Sequence, residues 1–201
     1  MANQYLLQFD KAIYDTNCII FYRFNFKVKL RGKFISISHY FYSKIDKLTS
    51  KILNSGWTIY TIQKAWEEIK LKGAAKIVEE LLKAKKLYNH IIARSIVRKL
   101  VKSLDELKSK RWFIIDNFCP SSDQLKQIIK FYTELPHSPK KERLIEKNKK
   151  PYPSEVDLSL IIYSSKIRGL LVSTDHDICD FKDELEKNNL CSKILPLWEI
   201  N

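Results

Sequence analysis

Glycine is scarce in this sequence: Gly32, Gly56, Gly73 and Gly169 are the only four in 201 residues, and no two stand close together. A loop that cradles phosphate with bare backbone needs a glycine cluster, so sites of the Walker and dinucleotide types are excluded. Cysteine is equally sparse. Cys18, Cys119, Cys179 and Cys191 are widely spaced with no CxxC pair, which leaves no basis for a disulfide framework or a four-thiolate zinc site. The histidines His39, His90, His137 and His176 are scattered, and no local motif announces a zinc hydrolase or a cysteine nucleophile. Long apolar runs are also missing. The aliphatic stretch 158–162 stops at Tyr163 and Ser164, well short of the ~18 residues of a membrane helix. Residues 1–7 lack the basic region and apolar core of an export signal. The expectation is a cytoplasmic protein without a membrane partner.

Positive charge and apolar residues are abundant. Thirty-six Lys and Arg face 23 Asp and Glu, a formal net charge of +13, while 45% of the residues are hydrophobic and 12% aromatic. The apolar content supports a real core. The charge would attract a polyanion, although a lysine-rich surface can also serve solubility alone. It is unevenly placed: residues 85–111 hold nine Lys or Arg against two acids, and residues 140–150 hold six against two Glu.

Residues 12–15 read as the end of a buried strand, followed by a helix from 16 to about 24. Gly32 lies in a segment that permits a short hairpin, and residues 40–53 suit a helix with one apolar face. A strand over 57–62 and a short helix over 64–71 follow. From Gly73 a helical pattern runs towards Leu107, either as two helices broken near Asn89 or as a projecting arm. Residues 112–116 form a strand candidate, and Ser122 is placed to cap a helix from about Asp123. The lysine-rich segment 140–150, bracketed by Pro136, Pro139, Pro151 and Pro153, reads as a surface loop. Ser154 caps a helix beginning at Glu155, Gly169 ends it, and 170–173 is a short buried strand. One helix over 175–187 and a final strand over 194–198 complete the chain. This alternation predicts an α/β fold with a parallel sheet covered by helices, with strand ends and helix starts sharing one edge.

Four acidic motifs stand against that edge. Asp15, in AIYDTNCII, follows an apolar strand, where it either caps the next helix or offers a carboxylate to a ligand. Asn17 beside it is placed to orient that carboxylate or to donate to a phosphate. Glu67 and Glu68, in YTIQKAWEEI, point about 100° apart on a helix, so one at most shares a site; Glu68 is preferred, and both could equally be solvated. Asp157, in PSEVDLSLII, gains from its helix N-terminus whether or not it does more. In LLVSTDHDICDF, Asp175 and Asp177 alternate directly after a strand, where they can join Ser173 and Thr174 around a hard ion.

The order of these motifs resembles the PIN-domain nucleases. The resemblance rests on DTNCII at 15–20, AWEEI at 65–69, EVDLSLIIYSSK at 155–166 and LLVSTDHD at 170–177. It covers roughly residues 11–82 and 152–200 and leaves residues 26–38 and most of 85–150 unexplained. It implies a three-layer α/β/α sandwich with a central short parallel sheet, here one domain over 1–201 with a helical basic extension or insertion at about 84–150. It also implies a centre of Asp15, Glu68, Asp157 and Asp175, with Asp177 as a further ligand, that holds Mg²⁺ or Mn²⁺ and hydrolyses RNA phosphodiester bonds. Some members dimerise, some are toxins restrained by antitoxins, and others process RNA.

Carboxylates suit Mg²⁺ and Mn²⁺ because these ions prefer oxygen ligands, and clustered acids repel one another without a cation. Phosphate contacts are expected from Asn17, Thr174 and the basic residues Arg94, Arg98, Lys99, Lys102 and Arg111. Trp112 and Tyr88 are stacking candidates whose blander role is packing. Two other functions stay open: a catalytically inactive RNA-binding or assembly module, and a structure-selective DNA nuclease.

Overall fold

The computed structural model describes residues 8–30, 33–69, 74–85 and 87–200. Expectations resting on residues 1–7, on Gly32 and Gly73, and on the end of the 64–71 helix lie outside the described residues. The short apolar strands β1 (Lys11–Tyr14), β4 (Thr58–Ile62), β5 (Phe113–Asp116), β6 (Leu170–Ser173) and β7 (Lys193–Pro196) form one sheet in the order β5-β4-β1-β6-β7. Every pairing in it is parallel.

Successive strand residues point to opposite faces, and the core divides accordingly. Ala12, Tyr14, Leu170 and Val172 enter one cluster, with Cys18, Ile20, Ile52 and Leu104. Ile13 and Leu171 enter the other, with Tyr132, Leu160 and Phe181. Two apolar faces need two helical layers, so the architecture is the expected three-layer α/β/α sandwich. The first layer holds α1 (Thr16–Arg23), α2 (Tyr42–Asn54), α4 (Ala74–Ala84) and α5 (His90–Lys108); the second holds α6 (Ser122–Glu134), α8 (Glu155–Ile167), α9 (His176–Cys179) and α10 (Lys182–Lys187). A short α3 (Gln63–Glu68) follows β4 directly. Between α1 and α2 the chain forms the hairpin of β2 (Asn25–Leu30) and β3 (Lys33–Ser38). No helix among the described residues is long and apolar enough to cross a membrane.

The long helical pattern breaks at Asn89, whose side-chain oxygen accepts from the amides of Ile91 (2.8 Å) and Ile92 (3.4 Å). It does not form an arm. Ile96, Leu100, Leu104 and Leu107 are buried in the first layer, and Arg23 Nε donates to Ser103 Oγ at 2.6 Å, fastening α1 to α5.

Five features differ from the sequence reading. Residues 140–150 are mostly helical, not a loop: α7 (Pro139–Asn148) starts with Ser138 as its cap and Pro139 in its first turn, a combination that starts helices well. Lys141, 8% exposed, reaches the carbonyls of Thr133 and Leu135 at the end of α6, giving those acceptors a partner and docking α7. The cap of α6 is Ser121 rather than Ser122, in a box with Gln124. The single helix expected over 175–187 splits into α9 and α10 because Phe181 leaves the helical register to bury itself in the second core. The last strand ends at Pro196, and residues 197–199 turn into a 3-10 helix. At the end of α8 the left-handed residue is Arg168, not Gly169. Gly169 serves close packing, since a Cβ there would sit 2.4 Å from Ile13 Cδ1.

Candidate metal centre

Because all five strands run the same way, the residues that follow β1, β4 and β6 meet at one edge. Asp15 follows β1 and is 3% exposed. Its Oδ1 accepts from Cys18 N at 2.6 Å, capping α1, while Oδ2 accepts from Ser173 Oγ at 2.5 Å and Thr174 N at 3.0 Å. Asp15 therefore latches the end of β1 to the end of β6. Burial pushes its carboxyl up, and the bonds from Ser173, Cys18 and Thr174 oppose that shift.

Ser173 Oγ also accepts from Asp175 N at 3.0 Å, and Asp175 Oδ1 accepts from Asp177 N at 2.9 Å to cap α9. Tyr132 donates its buried hydroxyl to the Asp177 carbonyl at 3.1 Å. Across from this turn, Asp157 and Ser154 form a reciprocal capping box at the head of α8, with Ser154 Oγ donating to Asp157 Oδ2 at 2.6 Å. The outcome is a carboxylate triad. Oxygens of Asp157, Asp175 and Asp177 all lie within 4.8 Å of one another.

Glu68 Oε2 accepts from Thr16 Oγ1 at 3.1 Å, and Glu68 lines the same 530 Å³ cavity as Asp15, Asp157, Asp175 and Asp177. Glu67 instead accepts from Gln63 on its own helix at 2.8 Å. Asn17 lines this cavity and the adjoining 760 Å³ one, which Thr174 also lines. None of Arg94, Arg98, Lys99, Lys102 and Arg111 lines either. Lys99 donates to the Lys27 carbonyl of the hairpin at 3.4 Å. Trp112 packs on the first core and edge-on to Tyr22, whereas Tyr88 bonds His90 at 3.2 Å.

The cation paired with the acids of the triad, Lys147, comes from α7, which the sequence reading passed over. Lys147 Nζ lies 3.0 Å from Asp175 Oδ1 and 2.9 Å from Asp177 Oδ2, and Asn148 Nδ2 donates to Asp177 Oδ2 at 2.7 Å. Burial works against the charge on Lys147, but the bonds to Asp177 and Asp175 outweigh it and raise its pKa overall. The second lysine-rich segment was visible as a charge run. Its helical start, Ser138-Pro139, was the signal that could have placed Lys147 on a rigid element.

Burial foremost, then the charges of Asp175, Asp15 and Glu68, pushes the Asp157 carboxyl from 3.8 to about 7, against the pull of its Ser154 bond. The folded value exceeds the unfolded one, so this group's contribution to stability is complete below the unfolded pKa and is lost as pH rises through about 7. Metal-free protein should therefore melt lower at about pH 8 than at about pH 5. In Asp157→Asn, whose amide oxygen can keep the Ser154 bonds, that decline should flatten, and the variant should be the more stable protein at the higher pH. Thermal melts in EDTA measure this; a variant less stable than wild type at the higher pH contradicts it.

No family model, no curated protein and no solved structure matches this chain.

Proposed function

We propose that this chain is a divalent-metal-dependent endoribonuclease with a PIN-like centre. The observation that carries the proposal is the convergence of Asp157, Asp175 and Asp177 at the carboxyl edge of a parallel sheet. Ligand oxygens on opposite sides of Mg²⁺ stand about 4.2 Å apart, twice the ~2.1 Å bond. Oxygens of the three aspartates lie within 4.8 Å of one another, on the scale of that span. An all-oxygen donor set fits Mg²⁺ or Mn²⁺, and the Lys147 ammonium already holds a cation's place between Asp175 and Asp177.

Asp157, Asp175 and Asp177 would hold the ion, with Glu68 beside them. When bound, the ion neutralises phosphate charge and makes an attacking water more acidic. Asp15 is a positioning residue here: its carboxylate fixes Ser173 and Thr174, and Ser173 fixes the Asp175 backbone. Lys147, once an ion takes its place, is free to pair with a phosphate. The net charge of +13 supports a polyanionic substrate, and RNA is the one proposed.

Lys147 also favours a second reading, an RNA-binding module in which the lysine permanently replaces the ion. A Mn²⁺ titration of cleavage on single-stranded RNA, structured RNA and DNA separates the two. The wild type should cleave RNA with Mn²⁺ and not with EDTA. Lys147→Met should reach half-saturation at roughly tenfold less Mn²⁺, because it removes charge-assisted bonds that compete with the ion. RNA binding without Mn²⁺-dependent cleavage in both proteins assigns the chain to the second reading, and cleavage confined to DNA overturns the ribonuclease.

A further inference from the structure

Beside the acidic cavities lies a third, of about 470 Å³, walled by rings from three distant parts of the chain. Phe21 of α1 and His39 stack at 3.7 Å with an interplanar angle of 2°. Tyr40 lies on His39 at 4.4 Å and against Phe41 at 4.1 Å. His176 of α9 and Trp198 form another stack, at 4.7 Å and 20°. Lys44 Nζ donates to the Trp198 carbonyl at 3.1 Å and ties the two groups together.

The cleft is continuous with the candidate centre. Asn17 lines it and both acidic cavities, and Thr174 and His176 line it and the cavity that holds Lys140, Arg143 and Lys147. Rings on one side and cations on the other, joined by a short polar stretch, match the alternation of base and phosphate along a single strand. Two properties set this cleft apart from a core edge. Tyr40 is 73% exposed, although an aromatic ring with packing partners gains from burial. His39 Nδ1 accepts from Phe41 N at 3.3 Å, and burial, followed by the charge of Lys85, lowers its pKa to about 4. The imidazole is thus a neutral ring at physiological pH.

We infer that this cleft binds an unpaired base of the RNA strand, stacked on Tyr40 and neighbouring the phosphate held at the carboxylate centre. The inference rests on the nuclease reading for which phosphate reacts, but the stacking itself needs no metal. The base must be unpaired, because a base inside a duplex has no free face to offer.

The test is a double-mutant cycle on affinity in EDTA, where cleavage plays no part. Wild type and Tyr40→Ala are titrated with a short fluorescent RNA strand and with versions made abasic at one position in turn. Loss of one stacked base should weaken binding by roughly 5- to 100-fold. Tyr40→Ala should cost a similar factor on the intact strand, nothing further on the strand abasic at the responsive position, and little on a blunt RNA duplex. Tyr40→Phe should restore binding, since it keeps the ring face. Additive losses, equal losses on the duplex, no responsive position, or no binding of the wild type would each overturn the cleft. Coupled losses in EDTA alongside absent Mn²⁺-dependent cleavage would uphold the cleft and sink only the nuclease.

Discussion

Asp175→Asn should reduce Mn²⁺-dependent cleavage by a factor on the order of 10³ or more while leaving the fold intact. The loss follows from charge. A divalent ion contributes several kcal/mol to the stabilisation of a phosphoryl transition state, and its hold depends on ionised oxygens. An amide at 175 would remove one of the three carboxylates in the triad. The fold should survive because the bond that matters locally goes to one oxygen: Asp175 Oδ1 accepts from Asp177 N at 2.9 Å, and an asparagine oxygen can accept it equally well. The ion pair with Lys147 would be lost, but Lys147 is 54% exposed and can return to water. Steady-state kcat/KM with Mn²⁺, read beside the melting temperature, measures both halves. A variant that folds normally and cleaves within about tenfold of wild type removes the triad from the mechanism.

Asp15→Ala should have the largest effect on stability, about 3 kcal/mol. Its carboxylate serves three donors at once: Cys18 N, Ser173 Oγ and Thr174 N. Loss of the cap on α1 costs ~1–2 kcal/mol, and orphaned buried donors at the end of β6 add ~1–3 kcal/mol. Relief of the carboxylate's own burial offsets part of that sum. Asp15→Asn should cost less, since the amide oxygen can serve Ser173 and Thr174 while its NH₂ faces the Cys18 N–H. Urea unfolding of the three proteins measures the order; a change below ~1 kcal/mol for the alanine variant would show the latch to be dispensable. Lost cleavage in an Asp15 variant is informative only after this cost is known, whereas Asp175 separates charge from folding cleanly.

The contrast between these two aspartates marks how far the sequence was legible. Both follow short apolar strands, and a parallel sheet brings such positions to one edge, so their convergence was readable from LLVST and KAIYD alone. Their roles were not. A carboxylate that holds three donors of the fold looks the same in one dimension as one that pairs with a lysine; Ser173 and Asp15 are 158 positions apart. Glu68 and Glu67 differ only in helix phase, and the hydroxyl of Thr16, 52 residues earlier, distinguishes them. The basic residues of α5 drew attention because their charge is dense. Lys147, in the shorter run, is the cation at the acids because Lys141 anchors α7 into the end of α6.

The periodic signals were the durable ones. Buried strands four or five residues long, alternating with capped amphipathic helices, specify a covered parallel sheet, because side-chain direction follows from backbone geometry within each element. Chain order alone therefore carried the parallel sheet covered by helices and the edge at which acids gather. Which carboxylate latches two strands, which one pairs with a lysine, and which rings share a cleft depend on contacts between residues far apart in the chain. Those contacts are set by how the layers dock, and no local pattern encodes them.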